Sequence, residues 1–301
     1  MSRTRVIIRF AWRQLKKALK INLGDLIRLT RFPNLLIIVL TQYFTALFLI
    51  DQEGTWQQTL LNKNLFLLVF STVLIAAAGY IINDYYDVKI DFINKPDRVL
   101  IGRKIRRRIA LALHLLFNAV ALMVGVYLDW KIAAIHFISI FLLWLYSNQL
   151  KRMPFIGNFT VGLLTGASIL IISLYYQQNF KLVLPYAVFA FAMTLIREII
   201  KDLEDLKGDA NFGCRTLPVI WGIRKTKLVL YILLIIFMIT LAVFSYLADN
   251  MTLNLYFAIL AIPMIYFVAK LVRADSKRKF GYLSNYCKVI MLSGVISMVF
   301  F

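Results

Sequence analysis

Nine long apolar runs constrain this chain more than any other feature. They fall at 33–50, 65–83, 109–128, 132–148, 158–176, 182–198, 228–248, 252–271 and 283–301. A helix crossing a bilayer needs about 20 mainly apolar residues, within a range of roughly 17–25. All nine reach that range, although the fourth and sixth are short enough that a merged, eight-helix reading stays open. Composition agrees. Of 301 residues, 61% are hydrophobic and 17% charged, against about 25% charge in ordinary soluble domains. That excludes a soluble globular protein and a disordered chain. Cys214 and Cys287 are too few for a secreted disulfide framework. The expected fold is all-α: a polytopic membrane protein, a bundle of nine transmembrane helices with helical caps at one face.

The charges say how such a bundle would sit. Residues 1–32 alternate Arg3, Arg5, Arg9, Arg13, Lys16, Lys17 and Lys20 with Val6, Ile7, Ile8, Phe10, Trp12, Leu15 and Leu19. This reads as a basic amphipathic segment on an anionic membrane surface, ahead of a transmembrane domain over 33–301. With nine spans, 31 Lys and Arg fall on the N-terminal side and three, Lys63, Lys131 and Lys181, on the other. Excess Lys and Arg marks the cytoplasmic side. The expectation is a multi-pass plasma-membrane protein with its N-terminus inside and its C-terminus outside. The +20 net charge then reflects membrane orientation and lipid contact rather than nucleic acid. No obligatory protein partner is evident.

Two segments on the basic side carry nine of the 15 acids. In the first, Asp84, Asp87 and Asp91 are spaced +3 and +4; in the second, Asp202, Asp205 and Asp209 repeat that spacing, with Glu198 a turn earlier. On a helix this puts each triplet on one face, where like charges repel. Each segment continues an apolar run and is followed by basic residues: Lys95, Arg98, Arg103 and Lys104, then Arg215, Arg224 and Lys225. Solvated, salt-bridged helix ends are the plain reading. The doubled spacing at the membrane edge instead suggests carboxylates for Mg²⁺, which takes one or two protein carboxylates and completes its octahedron with water and phosphate oxygens. Arg and Lys would take the remaining phosphate charge.

At these residues the sequence resembles the UbiA family of intramembrane prenyltransferases. Asn83, Asp84, Asp87 and Asp91 match the family's Asn-Asp-x-x-Asp-x-x-x-Asp pattern, and Asp205 and Asp209 its second motif, with Asp202 adjoining. Asn94, Pro96 and Arg98, and then Arg215 through Pro218 with Gly222, are similar to the family's continuation after each motif. The resemblance implies Mg²⁺-dependent transfer of an isoprenyl group from a polyprenyl diphosphate to a lipophilic acceptor. It implies that Asp84, Asp87, Asp91, Asp202, Asp205 and Asp209 are the catalytic, metal-holding residues, and that Asn83, Arg98, Lys151, Arg197 and Lys201 bind substrate. The second block looks most like the branch that transfers from geranylgeranyl diphosphate to geranylgeranylglyceryl phosphate in ether lipid synthesis. An aromatic acceptor of quinone synthesis, such as 4-hydroxybenzoate or dihydroxynaphthoate, is the alternative; a membrane transporter or an Asp-Gly-type phosphotransferase is more distant.

Several further residues carry expectations of their own. The family's Tyr-x-x-x-Lys element is stretched by one residue here, as Tyr146 and Lys151. On a continuous helix this rotates the tyrosine about 100° from its usual relation to the lysine, leaving an interfacial anchor as one reading of Tyr146. His114 and His136 read as packing residues, Cys214 and Cys287 as free thiols. Asn34 reads as a helix cap or an acceptor contact.

Overall fold

The computed structural model describes residues 22–50, 55–94, 96–248 and 251–301. Most of the amphipathic segment expected over 1–32 lies outside this set; its last part forms a short helix, Leu23–Leu29, capped by the Asn22 side chain on the Gly24 N–H. Among the described residues nine helices are long and apolar enough to cross a membrane, so the nine-span reading holds over the eight-span alternative. They are α1 (Phe32–Ile50, whose last six residues form a π-turn), α2 (Lys63–Asn94), α3 (Arg107–Leu128), α4 (Trp130–Asn148), α5 (Ile156–Tyr176), α6 (Phe180–Asn211), α7 (Leu217–Ala248, kinked at Gly222), α8 (Met251–Val272) and α9 (Lys277–Ile296).

Two of these helices differ from the rest. α7 also counts 32 residues but is broken at Gly222; α2 and α6, 32 residues each, run about 48 Å, well beyond a hydrocarbon core of about 30 Å. Both excesses lie at the C-terminal end, and both carry an acidic triplet. The same two helices are the most enclosed by protein, with 56% and 67% of their apolar windows buried against 17–44% for the other seven. They form the centre of the bundle.

Packing explains that placement. Around α6, Met193, Ile196, Ile199 and Ile200 meet Leu230 and Phe237 of α7, Phe267 of α8, and Phe280 and Leu283 of α9. A second cluster joins α1, α2, α5 and α6 through Leu49, Leu65, Leu68, Ile172 and Val183. A third, with Leu29, Ile81, Ile101, Ile105 and Ala110, anchors the connection from α2 to α3. Lipid provides no hydrophobic drive between helices, so close approach by small residues matters. Gly166 of α5 supplies it: a Cβ there would lie 2.9 Å from the Ala187 carbonyl oxygen on α6. His114 and His136 are buried between helices, with their Nδ1 atoms 3.0 and 3.2 Å from the carbonyl oxygens of Ala78 and Ala121.

Candidate active site

The acidic ends of α2 and α6 are joined directly. The Gly208 N–H donates to Asn94 Oδ1 at 3.1 Å, and the absence of a side chain at Gly208 permits the contact, since a Cβ would fall 2.3 Å from that oxygen. Lys277 of α9 donates to the Asn94 carbonyl oxygen at 2.5 Å. Beyond α6, the Cys214 N–H donates to the Asp209 carbonyl oxygen at 3.0 Å, and the Arg215 N–H to that of Arg152 at 2.8 Å. The turn after α6 is thereby tied to the turn after α4.

This frame places the carboxylates. Asp87 and Asp209 are buried; Asp84, Asp91, Asp202 and Asp205 are half-buried. Asp87 and Asp209, one from each motif, lie within Coulombic reach of each other and of Lys151. Lys151 pairs with Asp87. Burial acts to lower the Lys151 pKa, but Asp87 and its neighbours outweigh it and hold the ammonium above the ordinary lysine value. Thr216 Oγ1 donates to Asp209 Oδ2 at 3.5 Å. Burial, with Asp209 nearby, pushes the Cys214 thiol up, and both cysteines are free and buried.

Three contacts were not anticipated from the sequence. Arg31 precedes α1 in the left-handed backbone region (φ 51°), and its Nη2 donates to Asp84 Oδ1 at 2.7 Å. Its guanidinium lies 5.0 Å from the Tyr80 ring centroid. Burial acts to lower its pKa, yet Asp84, Tyr80 and Asp91 together outweigh it and the pKa is raised. Asn158, near the start of α5, donates to Asp202 Oδ2 at 2.8 Å. Glu198 is buried and holds both Arg197 Nη1, at 2.7 Å, and Lys201 Nζ, at 2.9 Å. The available signal for Arg31 and Asn158 was position alone: polar groups within a turn of an apolar run, at the same end as the acids.

Two readings need correction. Asn34 does not cap α1. The cap position is Arg31, without a side-chain bond, and Pro33 occupies the first turn; Asn34 Oδ1 instead accepts from Lys288 Nζ at 3.1 Å. Tyr146 is not turned away from Lys151, because α4 ends at Asn148 and Leu150–Arg152 form a 3₁₀ turn. The break interrupts the helical phase between the two residues, and Tyr146 lies within Coulombic reach of Glu198, Lys151, Asp202 and Asp87. Arg98 ends a 3₁₀ turn, Pro96–Arg98, and its side chain lies outside the described set.

Do these residues suit Mg²⁺? Among the described residues no three His, Cys, Asp or Glu side chains converge as a closed metal cage. The acids are instead offered singly, against Arg31, Lys151 and Asn158. All the donors are hard oxygens, and the enclosed Oδ1 of Asn83 accepts no hydrogen bond among the described residues. A site of few carboxylates and open positions fits Mg²⁺, which dehydrates reluctantly and coordinates substrate phosphate; it does not suit an all-protein Ca²⁺ or Zn²⁺ cage.

A polytopic α-helical bundle with two facing carboxylate-bearing helices and a cationic surround defines a membrane enzyme for an anionic, lipid-soluble substrate. Comparison with known proteins makes this specific: residues 39–285 match the UbiA prenyltransferase family, and the chain belongs to that family. The digeranylgeranylglyceryl phosphate synthase of Methanobrevibacter smithii is 34% identical over 230 residues, covering 73% of this chain and 81% of that protein. The synthase of the same name from Saccharolobus solfataricus is 30% identical over 240 residues, covering 79% and 84%. A solved structure concerning digeranylgeranylglyceryl phosphate synthase in membranes superposes with a TM-score of 0.69 at 25% identity, over 92% of this chain and 98% of that one. A UbiA homologue from Archaeoglobus fulgidus, bound to DMAPP and Mg²⁺, shares the fold with a TM-score of 0.65 at 19% identity, over 91% and 99%. Family membership sets aside the transporter and phosphotransferase alternatives.

Proposed function

We propose that this chain transfers a geranylgeranyl group from geranylgeranyl diphosphate to the free hydroxyl of geranylgeranylglyceryl phosphate. The observation that carries the catalytic part is the pairing of Lys151 with Asp87, with Asp209 of the second buried helix within Coulombic reach of both. The acceptor is supported by the names of the relatives at 34% and 30% identity and by the Arg197 to Asp209 block. The donor's allylic C–O bond breaks and diphosphate departs; the acceptor oxygen forms the ether bond and loses its proton.

Asp84, Asp87, Asp91, Asp205 and Asp209 would hold Mg²⁺ on the diphosphate, with Asp202 beside them. When bound, the metal would neutralise charge developing on the leaving group. Lys151 supplies a fixed positive charge at the same place, which acts most strongly in a water-poor site. Asn158 holds Asp202, and Asn94 fixes the distance between the two acidic helices. Dry surroundings are needed so that water does not capture the allylic cation. The acidic end faces the cytoplasm, as the distribution of Lys and Arg implies.

The test is transfer of radiolabelled donor by purified protein in EDTA and after Mg²⁺ is restored. Activity should vanish and return. Full activity in buffer shown to be metal-free by elemental analysis would contradict the proposal.

A further inference from the structure

Charge does not balance on the stretch of α6 that precedes its aspartates. Glu198, 6% exposed, is the only hydrogen-bonded carboxylate partner the described contacts give to both Arg197 and Lys201. Those two side chains are themselves 17% and 24% exposed. Arg31 is close enough to act on Glu198 and Lys201, but it already binds Asp84. Asp202, the residue after Lys201, lies within Coulombic reach of it but is hydrogen-bonded to Asn158 instead; two largely covered cations therefore share one hydrogen-bonded carboxylate, and poorly compensated charge away from water is costly. Two polar atoms add to the deficit: Arg197 Nε and Thr194 Oγ1 are buried without a hydrogen-bond partner among the described residues. Thr194, 4% exposed, lies three residues before Arg197 and four before Glu198, on the same helix face.

The cluster adjoins Asp202 but lies back along α6 from the other motif carboxylates. Lys201 and Arg197 precede Asp205 by one and two turns, about 6 and 12 Å along the helix axis. The cations that pair with Asp84 and Asp87 are different ones, Arg31 and Lys151. Tyr146 lies within Coulombic reach of both groups, of Glu198 and of Lys151, Asp202 and Asp87.

We infer that Arg197 and Lys201, with Thr194, bind the phosphate monoester of the acceptor, and that Glu198 holds the two cations in register for it. This rests on the proposed acceptor. A phosphate monoester offers several acceptor oxygens and a charge approaching −2, enough to engage the guanidinium fork, the ammonium and a hydroxyl together. It would leave the glycerol hydroxyl directed toward the aspartates.

The experiment is steady-state kinetics on the full chain in neutral detergent, with geranylgeranyl diphosphate and two acceptors: geranylgeranylglyceryl phosphate and its dephosphorylated form. Wild type should prefer the phosphorylated acceptor. Lys201→Gln leaves Arg197 and Glu198 as a neutral pair; it should raise KM for the phosphorylated acceptor by about 10- to 100-fold and leave the donor KM and the dephosphorylated acceptor within about twofold. Lys201→Arg should keep the preference. Glu198→Gln releases both cations and should lower KM for the phosphorylated acceptor, a direction that a merely structural role would not produce. A parallel rise in donor KM, an unchanged preference in Lys201→Gln, or a loss in Glu198→Gln equal to that in Lys201→Gln would overturn the inference. So would an effect confined to vesicles of anionic lipid, which would assign the cluster to bilayer headgroups. Wild-type transfer to neither glycerol acceptor, with label passing to an aromatic one, overturns the proposed acceptor and this inference together; transfer with an unchanged preference overturns this inference alone.

Discussion

The side-chain oxygen of Asn94 and the backbone N–H of Gly208, 3.1 Å apart, join the last turns of two helices separated by 114 residues of sequence. The contact sets the spacing between the acidic motifs, and it admits no side chain at position 208. Gly208→Ala should therefore lower stability by about 1–3 kcal/mol through overpacking and reduce transfer further than that loss alone explains. Asn94→Ala should cost about 0.5–1.5 kcal/mol. The double variant removes the clash and should be more stable than Gly208→Ala. Thermal melts and transfer assays on the three proteins check this; a double variant less stable than Gly208→Ala would contradict the spacing role.

Asp84→Ala, Asp87→Ala, Asp91→Ala, Asp205→Ala and Asp209→Ala should each reduce transfer by at least about 10²-fold, the scale of losing one electrostatic contact to a transition state. Membrane insertion and elution profile should be retained. Near-normal product from any two of them in the same detergent would contradict a site built from both helices.

Arg31 is bound to Asp84 at 2.7 Å, as a counter-charge that a divalent cation could supply instead. Arg31→Met should therefore lower the melting temperature more in EDTA than in Mg²⁺. Equal losses in the two buffers would show that the pairing is independent of metal.

Orientation has its own check. Cys214 and Cys287 are buried, so a membrane-impermeant thiol reagent should label the native chain weakly. In intact cells it should label Lys181→Cys and spare Lys225→Cys, with both reactive after the membrane is opened. The reverse pattern would invert the topology.

What the sequence disclosed and what it withheld divide along physical lines. The nine spans were legible because a bilayer sets a length that each apolar run had to meet, and the acidic faces because +3 and +4 spacing is local to one helix. Arg31, Asn158 and Asn94 were not legible as partners, since their contacts to Asp84, Asp202 and Gly208 cross between helices and leave no periodic trace. Tyr146 was misjudged because helical phase was carried past Asn148, where the helix stops. Asn34 was misjudged because capping residues are also hydrogen-bond acceptors for distant cations, here Lys288.

The most direct test of the proposed function is a competition for radiolabelled geranylgeranyl diphosphate between geranylgeranylglyceryl phosphate and an aromatic acceptor, 4-hydroxybenzoate or dihydroxynaphthoate, with Mg²⁺ present. Label should enter the doubly prenylated glyceryl phosphate and none should enter the aromatic compound. Label on the aromatic acceptor alone would contradict the assigned substrate.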